Sequence, residues 1–149
     1  MGCDICEIKN LVYRYADCID RGNLASLTSL FADATLVAVG GDGEESELRG
    51  QDILNMYRHF VRLYDDDNTP HTLHLTSNTL VELSSDGAAA SGQSYAVVFQ
   101  AQEGFPLQPI IGVRYEDAFV KSDAGWQFSR RRIETRLVGD LSRHMLQTI

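Results

Sequence analysis

The sequence has few of the features that mark membrane, nucleic-acid-binding or exported proteins. No apolar run approaches the roughly 20 residues that a membrane-spanning helix needs. Basic residues are in the minority, with 13 Lys and Arg against 21 Asp and Glu, and the net charge of −8 opposes binding to nucleic acid or anionic membranes. The N-terminus has no basic stretch followed by an apolar one, so we expect no signal peptide and a cytoplasmic location.

Cysteine is also scarce. Cys3, Cys6 and Cys18 are an odd number in a chain without an export signal, so we expect no disulfide framework. Cys3 and Cys6 have the C-x-x-C spacing of redox and zinc motifs, but they do not follow a strand. A zinc site that used His71 and His74 is disfavoured, because residues three apart in a strand point to opposite faces. We therefore expect no metal site, and small helix-face residues at these cysteines.

The overall composition is typical of one globular domain. The 149 residues are 44% hydrophobic and 23% charged, which is typical of a soluble protein that buries a core without metals or disulfides. There are no internal repeats, low-complexity tracts or linkers, so we predict a single domain over residues 1–149.

Helical periodicity dominates the first half of the chain. Apolar residues recur at spacings of three and four in the segments 5–19, 24–31 and 53–64, which predicts three helices. Gly22 can end the first helix in a left-handed conformation, and Asn23 can cap the second. Between the second and third helices, "ATLVAVG" is typical of a strand, and "GGDGEES" after it of a turn.

The second half is predicted to be strands. "HTLHLTSNTLVEL", "AAASGQSYAVVFQAQ", "IIGVRYEDAFVKS" and "WQFSRRRIETRLV" follow one another, with "EGFPLQP" as a loop and "DAG" as a hairpin turn. Consecutive hairpins imply an antiparallel sheet. The fold class is therefore α+β, with three N-terminal helices packed in a strongly curved antiparallel sheet. The space between helices and sheet is a cone whose mouth can admit a small molecule.

Two histidines open the first long strand, but alternation separates them. One face carries Thr72, His74, Thr76 and Asn78, and the other carries Leu73, Leu75 and Val81. His71 falls on the opposite parity from His74, beside Pro70 at the loop. His74 is thus the candidate for the interior of the cone, and His71 is predicted to lie at its rim.

Asp20, at the end of the first helix, has two interpretations. It is either an ordinary turn carboxylate in "DRGN" or the partner of His74. A carboxylate beside the imidazole would fix the tautomer of the ring and stabilise its protonated form, which suits a general base.

The last strand offers arginines. By alternation, one face carries Trp126, Phe128, Arg130, Arg132, Glu134 and Arg136. The run "SRRR" is either a solvated edge or a source of one guanidinium that lies deeper in the cone than Trp126 and Phe128. A guanidinium in that position could hold an oxyanion or a carboxylate.

The segments "YRYADCIDRGNLASLTSLFAD", "RGQDILNMYRHF", "HTLHLTSN" and "GVRYEDAFVKSDAGWQFSRRR" occur in an order that resembles the SnoaL-like branch of the NTF2-like superfamily. That branch includes scytalone dehydratase, bile-acid 7α-dehydratase, a dehydrochlorinase and polyketide cyclases. The resemblance spans nearly the whole chain and implies an NTF2-like cone. It does not identify an activity, because the fold hosts enzymes of several classes and non-catalytic binders.

Site residues follow from the resemblance position by position. The dehydratase and dehydrochlorinase members pair an aspartate at the end of the first helix with a strand histidine, which implies Asp20 and His74. The bile-acid enzyme adds a tyrosine and a late arginine, which implies Tyr15 and Arg136, with Arg132 as a competing match. Its second tyrosine corresponds to a position near Val39, where this chain departs from the pattern. The paired acids of the steroid isomerases are not matched well.

These residues suggest a mechanism without a metal or an organic cofactor. His74, oriented by Asp20, would remove a proton from carbon, while Tyr15 and an arginine stabilise the oxygen that gains charge. We expect a small hydrophobic substrate, cyclic or polycyclic, in a pocket lined by Leu11, Tyr57, Phe60, Thr76, Asn78, Tyr95, Phe99, Val113, Tyr115, Phe119, Trp126 and Phe128.

The leading hypothesis is a cofactor-independent lyase or isomerase of the dehydratase type. The alternatives are a non-catalytic ligand-binding or assembly domain, similar to dioxygenase small subunits, and a polyketide cyclase or hydrolase on the same fold. The resemblance further implies a homo-oligomer that pairs through the outer face of the sheet, a dimer or a trimer.

Overall fold

The computed structural model describes residues 2–147. It contains the helices α1 (Asp4–Asp20), α2 (Leu24–Ser29) and α3 (Gln51–Phe60) and the strands β1 (Thr35–Val39), β2 (Glu45–Leu48), β3 (Thr72–Leu83), β4 (Ala89–Gln102), β5 (Phe105–Ser122) and β6 (Gly125–Val138). The six strands form one curled sheet in the order β2-β1-β6-β5-β4-β3, and the helices pack against one face. The expected α+β fold is confirmed.

The sheet is mixed and longer than expected. β1 pairs in parallel with β6, whereas the other pairs are antiparallel. β2 occupies part of the segment that was expected to be a turn, because it folds back on β1 across residues 40–44. β5 begins at Phe105, within the expected loop, because Gly104 adopts a positive φ of 72° that lets β4 turn directly into β5.

The end of α1 is fixed by local chemistry. Gly22 has a φ of 69°, and a Cβ there would overlap the backbone oxygen of Asn68, so only glycine fits. Asn23 caps α2 through its side-chain oxygen, 3.1 Å from the backbone nitrogen of Ser26. Asp20 therefore ends α1 in a turn that is held against the loop before β3.

Two β-bulges change which residues face the helices. In β3, Ser77 pairs with Tyr95 and Leu80 with Gln93, so the alternation shifts between them. In β6, Phe128 pairs with Phe119 and Arg130 with Ala118, which leaves Ser129 as the extra residue. Beyond the first bulge Val81 packs against the core, and beyond the second Arg131 is buried in place of its neighbours.

The C-terminal segment, residues 139–147, follows β6 and crosses from the sheet to the end of α3. Its backbone bonds to that of the residues at and after α3: Leu146 donates to the carbonyl of Phe60 and Arg62 to the carbonyl of His144, both at 2.8 Å. The side chain of Gln100 in β4 donates to the carbonyl of Arg143 at 3.2 Å. The segment therefore covers one end of the cone.

The convex face of the sheet carries exposed apolar side chains. Leu75 pairs with Val97, Val97 with Gly112, and Gly112 with Leu137, so these residues form one row across β3, β4, β5 and β6. Leu75 is 57% and Leu137 is 72% exposed. None of the helices within residues 2–147 is long and apolar enough to cross a membrane.

One pair of cysteines is bonded, although no disulfide was expected from the sequence. Cys3 and Cys6 are joined by a disulfide at the start of α1, and the Cys3 sulfur also accepts a hydrogen bond from the backbone nitrogen of Cys6. The helical turn brings residues three apart onto one side, where their sulfurs meet. Cys18 is a free, half-buried residue on α1, as expected.

Candidate active site

The structure brings Asp20 and His74 together at the end of α1. His74 Nδ1 lies 2.6 Å from Asp20 Oδ1, and the backbone nitrogen of His74 donates to Asp20 Oδ2 at 2.7 Å. The hydroxyl of Thr72 donates to Asp20 Oδ1 at 2.8 Å. Three contacts from one strand hold the carboxylate, and the His74 and Asp20 side chains are only 6% and 16% exposed.

This contact determines how the imidazole can act. A carboxylate oxygen can only accept a hydrogen bond, so it selects the tautomer in which the proton is on Nδ1. The second nitrogen of His74, Nε2, then carries a lone pair. The arrangement can accept a proton at Nε2 while the ring stays fixed by its other side.

Three tyrosines occupy the interior beside α1. The hydroxyls of Tyr15 and Tyr57 are hydrogen-bonded to each other, and the ring of Tyr115 lies edge-on to that of Tyr15 with centroids 5.6 Å apart. All three side chains are buried. Burial raises the pKa of Tyr15 well above its ordinary value, with a further contribution from Tyr57, so the hydroxyl is a neutral donor at physiological pH.

The buried guanidinium is that of Arg131, which sequence alternation did not select. It is fully buried and forms a bidentate pair with Asp117, its cross-strand partner, with both bonds at 2.8 Å. Its carbon lies 4.4 Å from the ring centre of Tyr15 and 3.9 Å from that of Tyr115. Burial alone lowers the pKa of Arg131, but Asp117 outweighs burial and holds it above its ordinary value.

Arg132 and Arg136 do not lie in the cone, contrary to expectation. Arg132 bonds to Glu45 and Glu134 at the surface, and Arg136, which is exposed, bonds to Glu134 at 2.9 Å. For Arg132 the bulge at Ser129 is the physical reason, because one extra residue exchanges the two faces of the strand. Arg136 is itself the extra residue of a further bulge, since Thr135 pairs with Val113 and Leu137 with Gly112. Arg130 is likewise partly exposed, 3.9 Å from Glu45.

The expected pocket residues divide between the two faces of the sheet. Buried or half-buried on the helix side are Leu11, Tyr57, Phe60, Thr76, Val113, Tyr115, Phe119, Trp126 and Phe128. Tyr95 and Phe99 instead lie on the convex face, because Ala96, Val98 and Gln100 occupy the inward positions of β4. Asn78 is exposed at the β3 bulge with a φ of 52°.

A cavity of about 140 Å³ lies at the end of the cone away from Asp20. Its lining includes Leu11, Trp126 and Phe128, together with Ser29, Leu30, Ala32, Asp33 and Gln127. This volume is below the several hundred Å³ of ordinary small-molecule sites. A larger ligand in this cavity therefore requires some of its lining side chains to move.

His71 lies outside the Asp20–His74 pair. Its ring stacks on Tyr64 with centroids 4.3 Å apart, and its Nε2 lies 2.9 Å from Asp66 Oδ1. Asp66, Asp67 and His71 bring ligand atoms within 4.8 Å of one another, which is close enough for a cation. However, Asp67 already accepts hydrogen bonds from Thr69, and both aspartates are exposed.

One residue near the pair was missed by sequence reasoning. His144, in the C-terminal segment, is 6% exposed, and its Nδ1 is buried with no hydrogen-bond partner among the described residues. Its pKa is lowered to about 4, mainly by burial and also by the charge of His74, while the charge of Asp20 acts in the opposite direction. No periodic pattern marks this irregular segment, so only its position in the fold reveals it.

Comparison with known proteins identifies the family. A model of the SnoaL-like domain matches residues 3–132. No curated protein gives a significant match.

Several solved structures share the fold. An NTF2-like protein with a cystatin-like fold from Novosphingobium aromaticivorans has a TM-score of 0.71 and 21% identity, covering 94% of this chain and 86% of that chain. A candidate scytalone dehydratase from the same organism has a TM-score of 0.65 and 22% identity, with coverages of 89% and 84%. A candidate aromatic ring hydroxylase from that organism has a TM-score of 0.70 and 18% identity, with coverages of 95% and 99%.

At these identities the structural likenesses show the fold alone, which is the NTF2-like cone that the sequence predicted. The family match covers most of the chain and includes α1, β3 and the Asp20–His74 pair. The chain belongs to the SnoaL-like domain family.

Proposed function

We propose that the protein is a cofactor-independent lyase or isomerase that removes a proton from carbon with His74. The observation that carries this proposal is the 2.6 Å contact between Asp20 Oδ1 and His74 Nδ1. A half-buried carboxylate with three donors from one strand is more than a turn residue requires. It holds an imidazole with one nitrogen available for chemistry.

The first step is proton abstraction. His74 Nε2 takes a proton from a carbon next to a carbonyl group or anti to a leaving group, and the C–H electron pair becomes part of a new double bond. Asp20 keeps the ring in the productive tautomer and stabilises the imidazolium that forms, as the buried acid does in other carboxylate–histidine pairs. Isomerisation returns the proton to another carbon, whereas elimination expels a leaving group.

The second requirement is a group that stabilises the oxygen on which charge develops. Arg131 Nη1 is buried and has no hydrogen-bond partner among residues 2–147. The neutral hydroxyls of Tyr15 and Tyr57 lie in the same interior. In a low-dielectric interior, a fixed donor of this kind stabilises an oxyanion more strongly than water does. We assign this role to Arg131 in place of Arg132 or Arg136.

The interior favours a hydrophobic, cyclic substrate. Aromatic side chains dominate it: Phe31 stacks on Phe128 with centroids 4.9 Å apart, and Phe119 packs against Phe128 at 5.0 Å. Burying apolar ring surface against such walls contributes about 25 cal/mol per Å². The polar groups are few, so they orient the substrate rather than solvate it.

We also propose that the protein is a homodimer that pairs through its convex sheet face. The row formed by Leu75, Val97, Gly112 and Leu137 supports this arrangement, because a contiguous exposed apolar surface is uncommon on a monomer. Light scattering on the wild type and on Leu75→Glu tests it. A wild-type monomer at micromolar concentration would contradict it.

The catalytic proposal is tested with a panel of cyclic β-hydroxy ketones of one to three fused rings. NMR in D₂O separates two events: deuterium incorporation at the α-carbon, and loss of water to give the unsaturated ketone. The expected result is both events with the wild type and neither with His74→Ala. His59→Ala is the matched control, since His59 is an exposed residue on α3.

A ligand-binding domain without catalysis would behave differently. It would bind panel members, detected by chemical-shift changes at Tyr15 or Tyr115, without exchange or elimination. That outcome would replace the lyase proposal with the binding alternative.

A further inference from the structure

The loop between α3 and β3 places two aspartates against His71. His71 Nε2 lies 2.9 Å from Asp66 Oδ1 and 3.3 Å from Asp67 Oδ1. Atoms that bind one metal ion at about 2.1 Å lie about 3.0–3.4 Å apart when they subtend octahedral or tetrahedral angles. The imidazole is therefore spaced from both carboxylates as it would be if all three bound one ion. These three residues are called the loop cluster below.

Neighbouring side chains hold the loop cluster in place. The ring of His71 stacks on that of Tyr64 at an interplanar angle of 10°, and the His71 side chain is 18% exposed. Asp67 Oδ1 accepts hydrogen bonds from the backbone nitrogen and the hydroxyl of Thr69, both at 2.9 Å. A carboxylate has about four lone-pair positions, so these bonds orient Asp67 and leave Oδ2 for a ligand. Carboxylates that bind metals are commonly oriented by such hydrogen bonds.

A groove of about 520 Å³ opens beside the loop cluster. Its lining includes the whole cluster together with Gln100, Gln102 and Glu103. Three of its lining residues are acidic, and among the described residues that line it there is no lysine or arginine. The groove therefore favours a cation over an anion.

Two amide oxygens at this groove lack partners. Gln100 is only 1% exposed, and its Nε2 donates to the carbonyls of Pro70 and Arg143 at 2.9 and 3.2 Å, which fixes the orientation of the amide. Gln100 Oε1 is buried and makes no hydrogen bond within residues 2–147, and the same holds for Gln102 Oε1. A buried acceptor without a donor is unfavourable, so two of them at one groove indicate a ligand that supplies positive charge or donors.

Gln102 and the two aspartates act together on His71. Burial lowers the pKa of this ring, but Asp66, Asp67 and Gln102 outweigh burial and raise it above its ordinary value. Gln102 therefore lies beside the ring, and its surroundings favour positive charge. Carboxylate and amide oxygens accept hydrogen bonds and do not donate them, so a cation satisfies them together.

We propose that Asp66, Asp67 and His71 bind a divalent metal ion, with the amide oxygen of Gln102 as a further ligand. Oxygen ligands with one imidazole are typical of an ion such as Mn²⁺. The side chains of Asp66 and Asp67 are 67% and 51% exposed, which leaves coordination positions for water.

This site is separate from the Asp20–His74 pair and does not depend on the proposed function. It joins the loop 61–71 to the end of β4. The sequence predicted no metal site because it considered His71 together with His74, which lie on opposite faces of a strand. In the structure His71 is paired with the loop aspartates instead.

The test measures Mn²⁺ binding to the whole chain by electron paramagnetic resonance of the free ion, in about 0.15 M KCl to screen diffuse attraction. We expect one bound ion per chain, with a Kd of about 1 mM or lower. Asp66→Asn and His71→Gln should each weaken binding by about tenfold or more, because each removes a ligand. Asp65→Asn is the matched control: it removes the same charge from an exposed neighbour outside the loop cluster and should change the Kd less than about twofold.

A second measurement locates the ion. Bound Mn²⁺ should broaden the backbone amide signals of residues 66–71 and 100–103 before those of the rest of the chain. Circular dichroism shows whether each variant keeps its fold, and Asp66→Asn changes an exposed side chain that the core does not contain.

The absence of saturable Mn²⁺ binding would overturn the site. So would a loss of affinity in Asp65→Asn as large as that in Asp66→Asn, because the acidic loop would then attract cations only diffusely. Gln102→Met keeps the length of the side chain without its oxygen, and an unchanged Kd in that variant would remove Gln102 from the ligands.

Discussion

The structure contains two acid–base pairs, Arg131–Asp117 and Asp20–His74, which differ in how deeply they are buried. Arg131 and Asp117 are 0% and 1% exposed, bond to each other twice and are enclosed by aromatic rings. Asp20 and His74 lie at the edge of the cone, with side chains 16% and 6% exposed, and are covered by the C-terminal segment. The first pair joins β5 and β6 inside the core, and the second joins the end of α1 to the start of β3.

The difference shows how one interior can contain polar groups for two purposes. Breaking a buried bidentate pair such as Arg131–Asp117 is strongly destabilising, and the pair leaves only Arg131 Nη1, the donor proposed above for an oxyanion, without a partner among the described residues. A pair in which one nitrogen has no obligatory partner gives up some stability and gains a site for proton transfer. Substitutions in each pair test this division.

The largest effect is expected from His74→Ala. Proton abstraction in the proposed reaction should fall by about 10²- to 10⁴-fold, which is the range for loss of a positioned general base. Exchange into a panel ketone in D₂O measures it. A variant that retained more than half of the wild-type exchange rate would show that His74 is not the base and that the Asp20–His74 pair is structural.

Arg131→Leu is expected to affect stability most. The substitution leaves Asp117 as an uncompensated buried charge and should lower the free energy of unfolding by about 3–5 kcal/mol. Urea denaturation followed by circular dichroism measures it. The double variant Arg131→Leu/Asp117→Leu should recover much of the loss, and a double variant as unstable as the single one would contradict the explanation.

The pH dependence of stability is expected to report on His144, which lies in the C-terminal segment, and not on the Arg131–Asp117 pair. The pKa of His144 is about 4 in the folded protein, compared with about 6.5 when unfolded. Below pH 6.5 the unfolded chain therefore binds more protons, so stability is lost as the pH falls from 6.5 towards 4, by up to about 3 kcal/mol. Denaturation midpoints measured across this range should show the loss in the wild type.

His144→Gln should remove that part of the pH dependence. The Arg131–Asp117 pair serves as the internal contrast, because its arginine stays charged over the whole window. A His144→Gln variant with the same slope as the wild type would show that another group is responsible.

Thr72→Val has the smallest expected effect. It removes one hydrogen bond to Asp20 but leaves the contacts from the His74 backbone and ring. We expect a loss of about 1 kcal/mol, or up to tenfold in exchange rate, with little change in the unfolding temperature. Thr79→Val, at the bulge of the same strand, is the matched control, because the Thr79 hydroxyl has no hydrogen-bond partner among the described residues.

The fold and the inward orientation of His74 could be predicted from the sequence, because both depend on regular patterns of apolar residues within single helices and strands. α1 keeps its apolar face from Ile8 to Ile19, and β3 alternates regularly from Thr72 to Thr76, before its bulge. Two residues that are distant in sequence, Asp20 and His74, could then be placed on facing elements. Their contact itself depends on the turn at Gly22, whose backbone approaches Asn68 closely.

The inward-facing residues could not be predicted from the sequence where a β-bulge inserts one extra residue and exchanges the two faces of a strand. The bulge at Ser129 moved the inward position from Arg130 or Arg132 to Arg131, and nothing in "SRRR" distinguishes the three. Tyr95 and Phe99 were assigned to the pocket as large apolar residues. Their cross-strand partners Ser77 and Leu73 show that they belong to the convex face, but that register is set by tertiary pairing.

The central claim is that Asp20 holds His74 with Nε2 free to accept a proton. Long-range ¹H–¹⁵N NMR on histidine-labelled protein tests it directly, with His74 assigned by its absence in His74→Gln. We predict that the wild-type ring carries its proton on Nδ1 at neutral pH and that Asp20→Leu loses this preference. A wild-type ring protonated on Nε2 alone would contradict the claim.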